Sequence, residues 1–546
     1  MMAYSFPAII HRIESNLIAL DACRLVGLDI RPDLALKALT KDSDDTGEHD
    51  AEQISFQPGM GSNYERLEFL GDCFLKMATT IAIFTLIPDK EEFEYHVERM
   101  LLICNRNLFN NALEFKLEEY IRSMAFHRHS WYPNNLTLKS GKTIQPRRTH
   151  LLADKSIADV CEALIGAALL TGQDRAGSTA PEQGAFDLAI RAVSTLVKSP
   201  RHSMSSYSEY YSLYTPPAWQ TAPCSSAQVD MAARFACRLG YTFRHPRLLR
   251  SAFQHPTYPS VYEHLPSYQR LEFLGDALLD MAIVEWLFAR FPGADPQWLT
   301  EHKMAMVSNQ FLGCLGFMLG FHKNIACCSP QVGKDLARYV AEMEEALLAA
   351  KEDAVRAGKT EDDWARDFWL NCSRPPKCLP DVVEAYVGAV FVDSGYNFGE
   401  VRAFLERHIR PFFEDMRLYD TFANNHPVTM LAAVMQGQFR CQDWRVLTRE
   451  LPAGPVAVAL DGEDTTSGGE FGEGETRVVC AVRCHGQTLA HAVAESGRYG
   501  KAAAAKKALE VLRKMEVEEY RQEFGCTCAG EEGENEEELE AHASAV

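Results

Sequence analysis

One acidic pattern occurs twice in this chain and constrains its fold more tightly than any other feature. Glu68-Phe-Leu-Gly-Asp72 is answered by Asp159-Val-Cys-Glu162-Ala163, and Glu272-Phe-Leu-Gly-Asp276 by Asp381-Val-Val-Glu384-Ala385. The leading acids are spaced i,i+4 and the answering acids i,i+3, so on helices each pair projects from a single face. They sit within apolar runs (Leu67, Phe69, Leu70; Val160, Ala163, Leu164), where uncompensated charge is costly. A solvated acidic face, the ordinary reading of a Glu/Asp pair, does not suit that setting. Four carboxylates facing one another repel unless hard divalent cations neutralise them, so the pattern implies Mg²⁺-like ions, bound twice. Such ions can activate water and hold a phosphodiester for in-line displacement.

The fuller stretches, Tyr64-Glu-Arg-Leu-Glu-Phe-Leu-Gly-Asp72 and Tyr268-Gln-Arg-Leu-Glu-Phe-Leu-Gly-Asp276, resemble the signature helix of the ribonuclease III family. Domains of that family are all-helical and work as side-by-side pairs. Lys155-Ser-Ile-Ala-Asp159 and Lys377-Cys-Leu-Pro-Asp381 agree with it, each placing a lysine four residues before the aspartate. The resemblance implies one metal site of Glu68, Asp72, Asp159 and Glu162 and another of Glu272, Asp276, Asp381 and Glu384, holding Mg²⁺ or Mn²⁺. It also implies a metal-bound water attacking a backbone phosphate and leaving 5′-phosphate and 3′-hydroxyl ends. Lys155 and Lys377 would stabilise charge developing on the phosphate, although a surface lysine beside an acidic cluster remains open for either one. The copies differ at Glu65, which is Gln269 in the second; in the family this position lies near the partner domain.

Equivalent signature residues are 204 positions apart and equivalent answering acids 222 apart, so the second copy holds 18 more residues between its motifs. That excess lies around 333–372, where Leu336, Tyr339, Val340, Met343 and Leu347 show helical spacing. It reads as an inserted charged helix, packed beside substrate or partner or simply solvated. Residues 198–228, rich in Ser, Tyr and Pro, read as a linker between a first domain at 7–197 and a second at 229–415. Lys41 to Gln53 reads as an acidic loop. The amphipathic N-terminus (Ile9, Ile10, Ile13, Leu17, Ile18, Leu20) reads as a core helix rather than a signal peptide.

A formal charge of −20 looks wrong for a partner of phosphate chains, which rests on Lys and Arg. Its distribution answers the objection. Residues 516–546 hold eleven Glu against one Arg, and the eight candidate ligands supply acids that bound ions would offset. No run reaches the roughly 18 uncharged apolar residues of a membrane span, so no membrane partner is expected. Sixteen cysteines scattered through such a chain suggest a reducing compartment, cytosol or nucleus.

From Asn424 the texture changes. Val428, Leu431, Ala432 and Met435 mark a short helix; Trp444–Leu451, Thr476–Cys484 and Gln487–Glu495 read as strands; Ser496–Leu512 is an alanine-rich helix. This α-β-β-β-α order over 424–515 resembles a double-stranded-RNA-binding domain, with Leu460–Glu475 a solvated loop. Residues 496–514 hold six basic residues and one acid, and the resemblance implies phosphate contacts from Arg498, Lys501 and Lys506. Beyond lies an acidic tail, 516–546, with Cys526-Thr-Cys528. Cys441 before the first strand and His485 at the turn between the second and third could meet it. Fungal Dicer-like proteins carry a comparable Cys-His-Cys-Cys zinc site, which implies Zn²⁺ on Cys441, His485, Cys526 and Cys528, with Cys484 and His491 as rival ligands.

Two ribonuclease III domains followed by one double-stranded-RNA-binding domain resemble the C-terminal portion of fungal Dicer-like proteins, over about 7–415 and more loosely 424–528. The expected fold is mainly α: two helical nuclease domains forming an intramolecular pseudo-dimer in a monomeric chain, then the small α-β-β-β-α domain. The resemblance implies cleavage of double-stranded RNA into short duplexes with staggered 3′ overhangs, with RNA-silencing proteins as partners. The alternative from another class is a non-catalytic RNA scaffold with the same fold, which would be expected to have lost ligands.

Overall fold

The computed structural model describes residues 2–41, 62–88, 90, 92–123, 152–177, 182–420, 422, 427–451, 477–494, 497–526 and 528. They fall into two units, Met1–Arg417 and Leu418–Val546. In the first unit one half comprises α1 (Met2–Leu25), α2 (Pro32–Ala38), α3 (Glu65–Leu86), α4 (Glu92–Ile103), α5 (Asn105–Glu114), α6 (Asp154–Ala176) and α7 (Asp187–Val197). The other comprises α8 (Ser226–Leu239), α9 (Pro246–Ala252), α10 (Gln269–Arg290), α11 (Pro296–Met306), α12 (Asn309–Met318), α13 (Pro330–Arg356), α14 (Cys378–Asp393) and α15 (Phe398–Phe404). Shorter helical turns join them.

The two signature segments are the central helices α3 and α10, apolar almost all round because they are buried almost all round. Among the described residues α3 is the one helix long and apolar enough to cross a membrane, yet 78% of its apolar window is buried inside the protein. Each central helix crosses its motif partner backbone to backbone. A Cβ on Gly71 would lie 1.8 Å from the Glu162 carbonyl oxygen, and one on Gly166 would lie 2.3 Å from that of Leu67. Gly275 and Gly388 repeat this at 1.8 Å from Glu384 and 2.3 Å from Leu271. Only glycine permits so close an approach, and it sets the answering acids opposite the signature acids.

The halves meet where α3 packs on α10, in a pseudo-twofold arrangement that pairs positions 204 apart. The Arg66 guanidinium lies 4.6 Å from the Phe288 ring centroid and donates to the Phe291 carbonyl. Its counterpart Arg270 lies 5.1 Å from the Phe84 centroid and donates to the Tyr95 hydroxyl.

Two expectations change. The stretch 198–228 is not a loose connector: Tyr207–Leu213 is a helix, and Tyr207 donates to the Tyr396 carbonyl at 3.0 Å. Tyr207, Tyr210 and Tyr214 are buried, because aromatic rings bring enough apolar area to hold an irregular segment down. The first helix is an edge element rather than a core one. It buries Ala19, Ala22 and Cys23 but leaves Ile9, Ile13 and Leu17 more than half exposed. The insert does form a 27-residue helix, α13, anchored by Tyr339 and Met343 with Leu348 and Val355 exposed. The acidic loop expected at 41–53 lies, beyond Lys41, outside the described residues, as does the loop expected at 460–475.

The second unit holds α16 (Pro427–Ala433), β1 (Trp444–Leu451), β2 (Arg477–Cys484), β3 (Gln487–Ala494), α17 (Gly497–Leu512) and α18 (Val517–Phe524). The strands form an antiparallel sheet in the order β1-β2-β3, with Trp444 opposite Cys484. Val478, Cys480, Val482 and Cys484 alternate onto the inner face. Ala504, Ala505 and Ala508 of α17 meet them there. The last helix corrects the expected tail, because Tyr520 and Phe524 enter this core, Tyr520 with its ring centroid 4.6 Å from that of Phe439. Their i,i+4 spacing was masked by the glutamates around them.

Candidate active sites and a cysteine-histidine cluster

The crossing of α3 and α6 brings carboxylate oxygens of Glu68, Asp159 and Glu162 within 4.8 Å of one another. Asp72 lines the same cavity of about 770 Å³, together with Glu65 and Lys155 and, from the other half, Asp295 and Gln297. In the second half Glu272, Asp381 and Glu384 converge within the same limit. Asp276, the remaining member of that quartet, faces the first half, 2.9 Å from Lys76.

Burial and mutual repulsion load these groups heavily. Burial, then the nearby Asp159, pushes Glu68 up to about 7. Burial, then Asp72 and Glu68, pushes Glu162 up to about 9. Glu272 rises to about 8 through burial and Asp381, and Glu384 is raised well above its ordinary value through burial and Asp276. Glu272 also buries an oxygen, Oε2, that has no hydrogen-bond partner. An all-oxygen donor set carrying such strain, with one buried acceptor left open, fits a hard divalent cation.

Both lysines join their sites. Lys155 Nζ lies 3.1 Å from Asp159 and 3.7 Å from Glu68; Lys377 Nζ lies 3.2 Å from Asp381 and 3.3 Å from Glu272. Their side chains stay 68% and 75% exposed, so each ammonium is held by the acids while facing the open side. Gln269 donates to Glu92 of the first half at 2.5 Å, away from the ligands. Sequence reasoning overlooked the tyrosines that open each signature. Tyr268 donates to Asp381 at 3.0 Å, and Tyr64 reaches Asp159 at 3.5 Å. Their identical place in both copies was the available signal.

In the second unit the Sγ atoms of Cys441, Cys526 and Cys528 and a ring nitrogen of His485 lie within 4.8 Å of one another. His485 Nε2 is 3.4 Å from Cys441 Sγ and 3.5 Å from Cys528 Sγ. The hairpin turn makes this possible: His485 and Gly486 both take positive φ, which turns the imidazole back toward β1. Its Nδ1 sits 3.5 Å from Asp443. Neither rival ligand belongs to the group; Cys484 is packed in the core and His491 is exposed on β3. Lys501 and Lys506 are exposed on α17, beside Lys507, while the Arg498 side chain lies outside the described residues.

Residues 65–173 and 269–395 match the family model of the ribonuclease III domain, and 419–514 match that of a dsRNA binding domain. Dicer-like protein 1 of Chaetomium globosum is 68% identical over 97% of this chain and 33% of its own length. Dicer-like protein 1 of Neurospora crassa is 63% identical over 97% and 33%, and that of Pyricularia oryzae 50% over 98% and 32%. The chain thus spans about a third of the length of the curated relatives it matches. Paired nuclease domains, an RNA-binding domain and identities of this order along nearly the whole chain place it among the fungal Dicer-like proteins of the ribonuclease III family.

Proposed function

We propose that this chain cuts double-stranded RNA into short duplexes with staggered 3′ ends for RNA silencing, each carboxylate site cutting one strand. The observation that carries the reading is the duplicated cluster of carboxylates whose oxygens converge within 4.8 Å, set twice within one compact unit. Glu68, Asp72, Asp159 and Glu162 would hold Mg²⁺ or Mn²⁺ in the first site, and Glu272, Asp276, Asp381 and Glu384 in the second. Such ions, when bound, polarise a phosphoryl oxygen and make water a nucleophile at neutral pH. The protein's own groups do the positioning. Tyr64 and Tyr268 fix the rotamers of Asp159 and Asp381, and Lys155 and Lys377 present positive charge where a scissile phosphate would gather negative charge. Arg498, Lys501 and Lys506 would meet phosphates of the duplex. The chain would act as a monomer, in cytosol or nucleus, beside other silencing proteins.

The test is a denaturing gel of end-labelled long duplex RNA incubated with the whole chain, with and without Mg²⁺. Short products that require the ion are expected; duplex bound but uncut in Mg²⁺ would overturn the nuclease reading in favour of a scaffold.

The same proposal assigns Zn²⁺ to Cys441, His485, Cys526 and Cys528. Thiolates and imidazole select zinc where carboxylates select Mg²⁺, and four protein ligands leave no open position, so the role would be structural. Elemental analysis of the purified chain should find zinc that disappears, with a fall in Tm, in the Cys526→Ser/Cys528→Ser variant. Freshly prepared protein without zinc would refute this assignment.

A further inference from the structure

Position 76 on α3 and position 280 on α10 are equivalents in the internal repeat, and they meet. Lys76 Nζ lies 2.5 Å from Asp280 Oδ2, with the Asp280 side chain only 7% exposed. A residue that touches its own repeat equivalent stands beside the pseudo-twofold axis, so in a pair of identical halves it would touch its own copy. Two first halves would set Lys76 against Lys76. Two second halves would set Asp280 against Asp280.

The surroundings sharpen the point. Lys303 of α11 also binds Asp280, at 3.2 Å. Its repeat equivalent Arg99 of α4 donates to Thr80 at 3.1 Å and lies 4.4 Å from the centroid of the Phe273 ring in the other half. Asp72 and Asp276 complete the ring of charges, Asp276 through Lys76 and Asp72 through the field of Lys303 and Lys76. Between unlike halves, three cations (Lys76, Arg99, Lys303) meet three acids (Asp72, Asp276, Asp280). Two first halves would instead gather four cations and two acids, and two second halves four acids and two cations. A buried charge left facing its own sign is strongly destabilising, and such repulsion is how an interface rejects a wrong partner.

We propose that Lys76 and Asp280, supported by Arg99 and Lys303, form a charge code that pairs the first half with the second half of one chain and bars like halves of separate chains from associating. The code concerns assembly and stands whether or not the carboxylate sites cut RNA.

The test uses the full chain, with Tm and solution mass as readouts. Lys76→Asp and Asp280→Lys singly should each lose several degrees of Tm and populate self-associated species. The exchange variant Lys76→Asp/Asp280→Lys restores an opposite pair at the axis while setting position 76 against Asp276 and position 280 against Lys303, so it should regain part of the lost Tm together with the monomeric mass. If a single variant fails to fold, recovery in the exchange variant still decides the matter. An exchange variant no better than the single ones, or single variants indistinguishable from wild type, would overturn the code.

Discussion

The two carboxylate sites share ligands, glycine crossings and lysines, and differ in how tightly their surroundings grip them. In the second site Tyr268 binds Asp381 at 3.0 Å, Lys377 touches both of its acids within 3.3 Å, and Lys76 holds Asp276 at 2.9 Å. In the first site the tyrosine contact stretches to 3.5 Å and Lys155 stands 3.7 Å from Glu68. The cation that the other half brings toward Asp72, Lys303, is spent on Asp280. Repeated letters therefore reproduce the ligand set with its tyrosine and lysine, while equivalent positions that carry different residues, such as Lys76 and Asp280, decide what the other half adds.

The largest effect should come from removing a ligand. Glu162→Gln and Glu384→Gln should each lower cutting of one strand by at least about 10³-fold, the scale of losing metal-borne charge stabilisation. Strand-specific labelling would then show nicked duplex, and loss of both cuts from either change would break the picture of two separate sites.

A smaller effect should separate the sites. Tyr268→Phe should raise the Mg²⁺ concentration needed for half-maximal cutting of its strand by about tenfold, as loss of a group that orients a ligand typically does. Tyr64→Phe should act more weakly, and equal shifts would mean that 3.0 and 3.5 Å are functionally alike.

The smallest difference should appear with pH. A carboxyl whose folded pKa is raised contributes stability that is present below its ordinary value near 4.5 and lost as pH rises through the folded value. The metal-free chain should therefore lose Tm as pH climbs through about 7 (Glu68), 8 (Glu272) and 9 (Glu162). Divalent ions must displace those protons, so the Tm gain from Mg²⁺ should grow over the same window. A metal-free Tm that stays flat between pH 5 and 9 would contradict the assigned burial.

Much of this was legible in the residues. The acids announced themselves because they recur at helical spacing inside apolar runs, and the three strands because β-branched residues alternate between turns. What stayed hidden depends on neighbours distant in sequence. Lys76 and Asp280 are plainly different letters at equivalent places, but nothing in the chain says that those places touch. Tyr520 and Phe524 lay hidden among glutamates, and the linker tyrosines among serines, since composition averages over the few positions that a core selects.

The glycine crossings carry a consequence for reading natural variation. Gly71 and Gly275 bear no charge and bind nothing, yet a single methyl at either would press on the carbonyl of Glu162 or Glu384 at 1.8 Å. Helix backbones cannot yield there without moving a ligand, and overpacking of this kind typically costs about 1–3 kcal/mol or more. An alanine allele at Gly275 would thus pass for a mild, conservative change while silencing the cut of one strand, with every carboxylate intact. A screen that scores only the acidic residues would miss it.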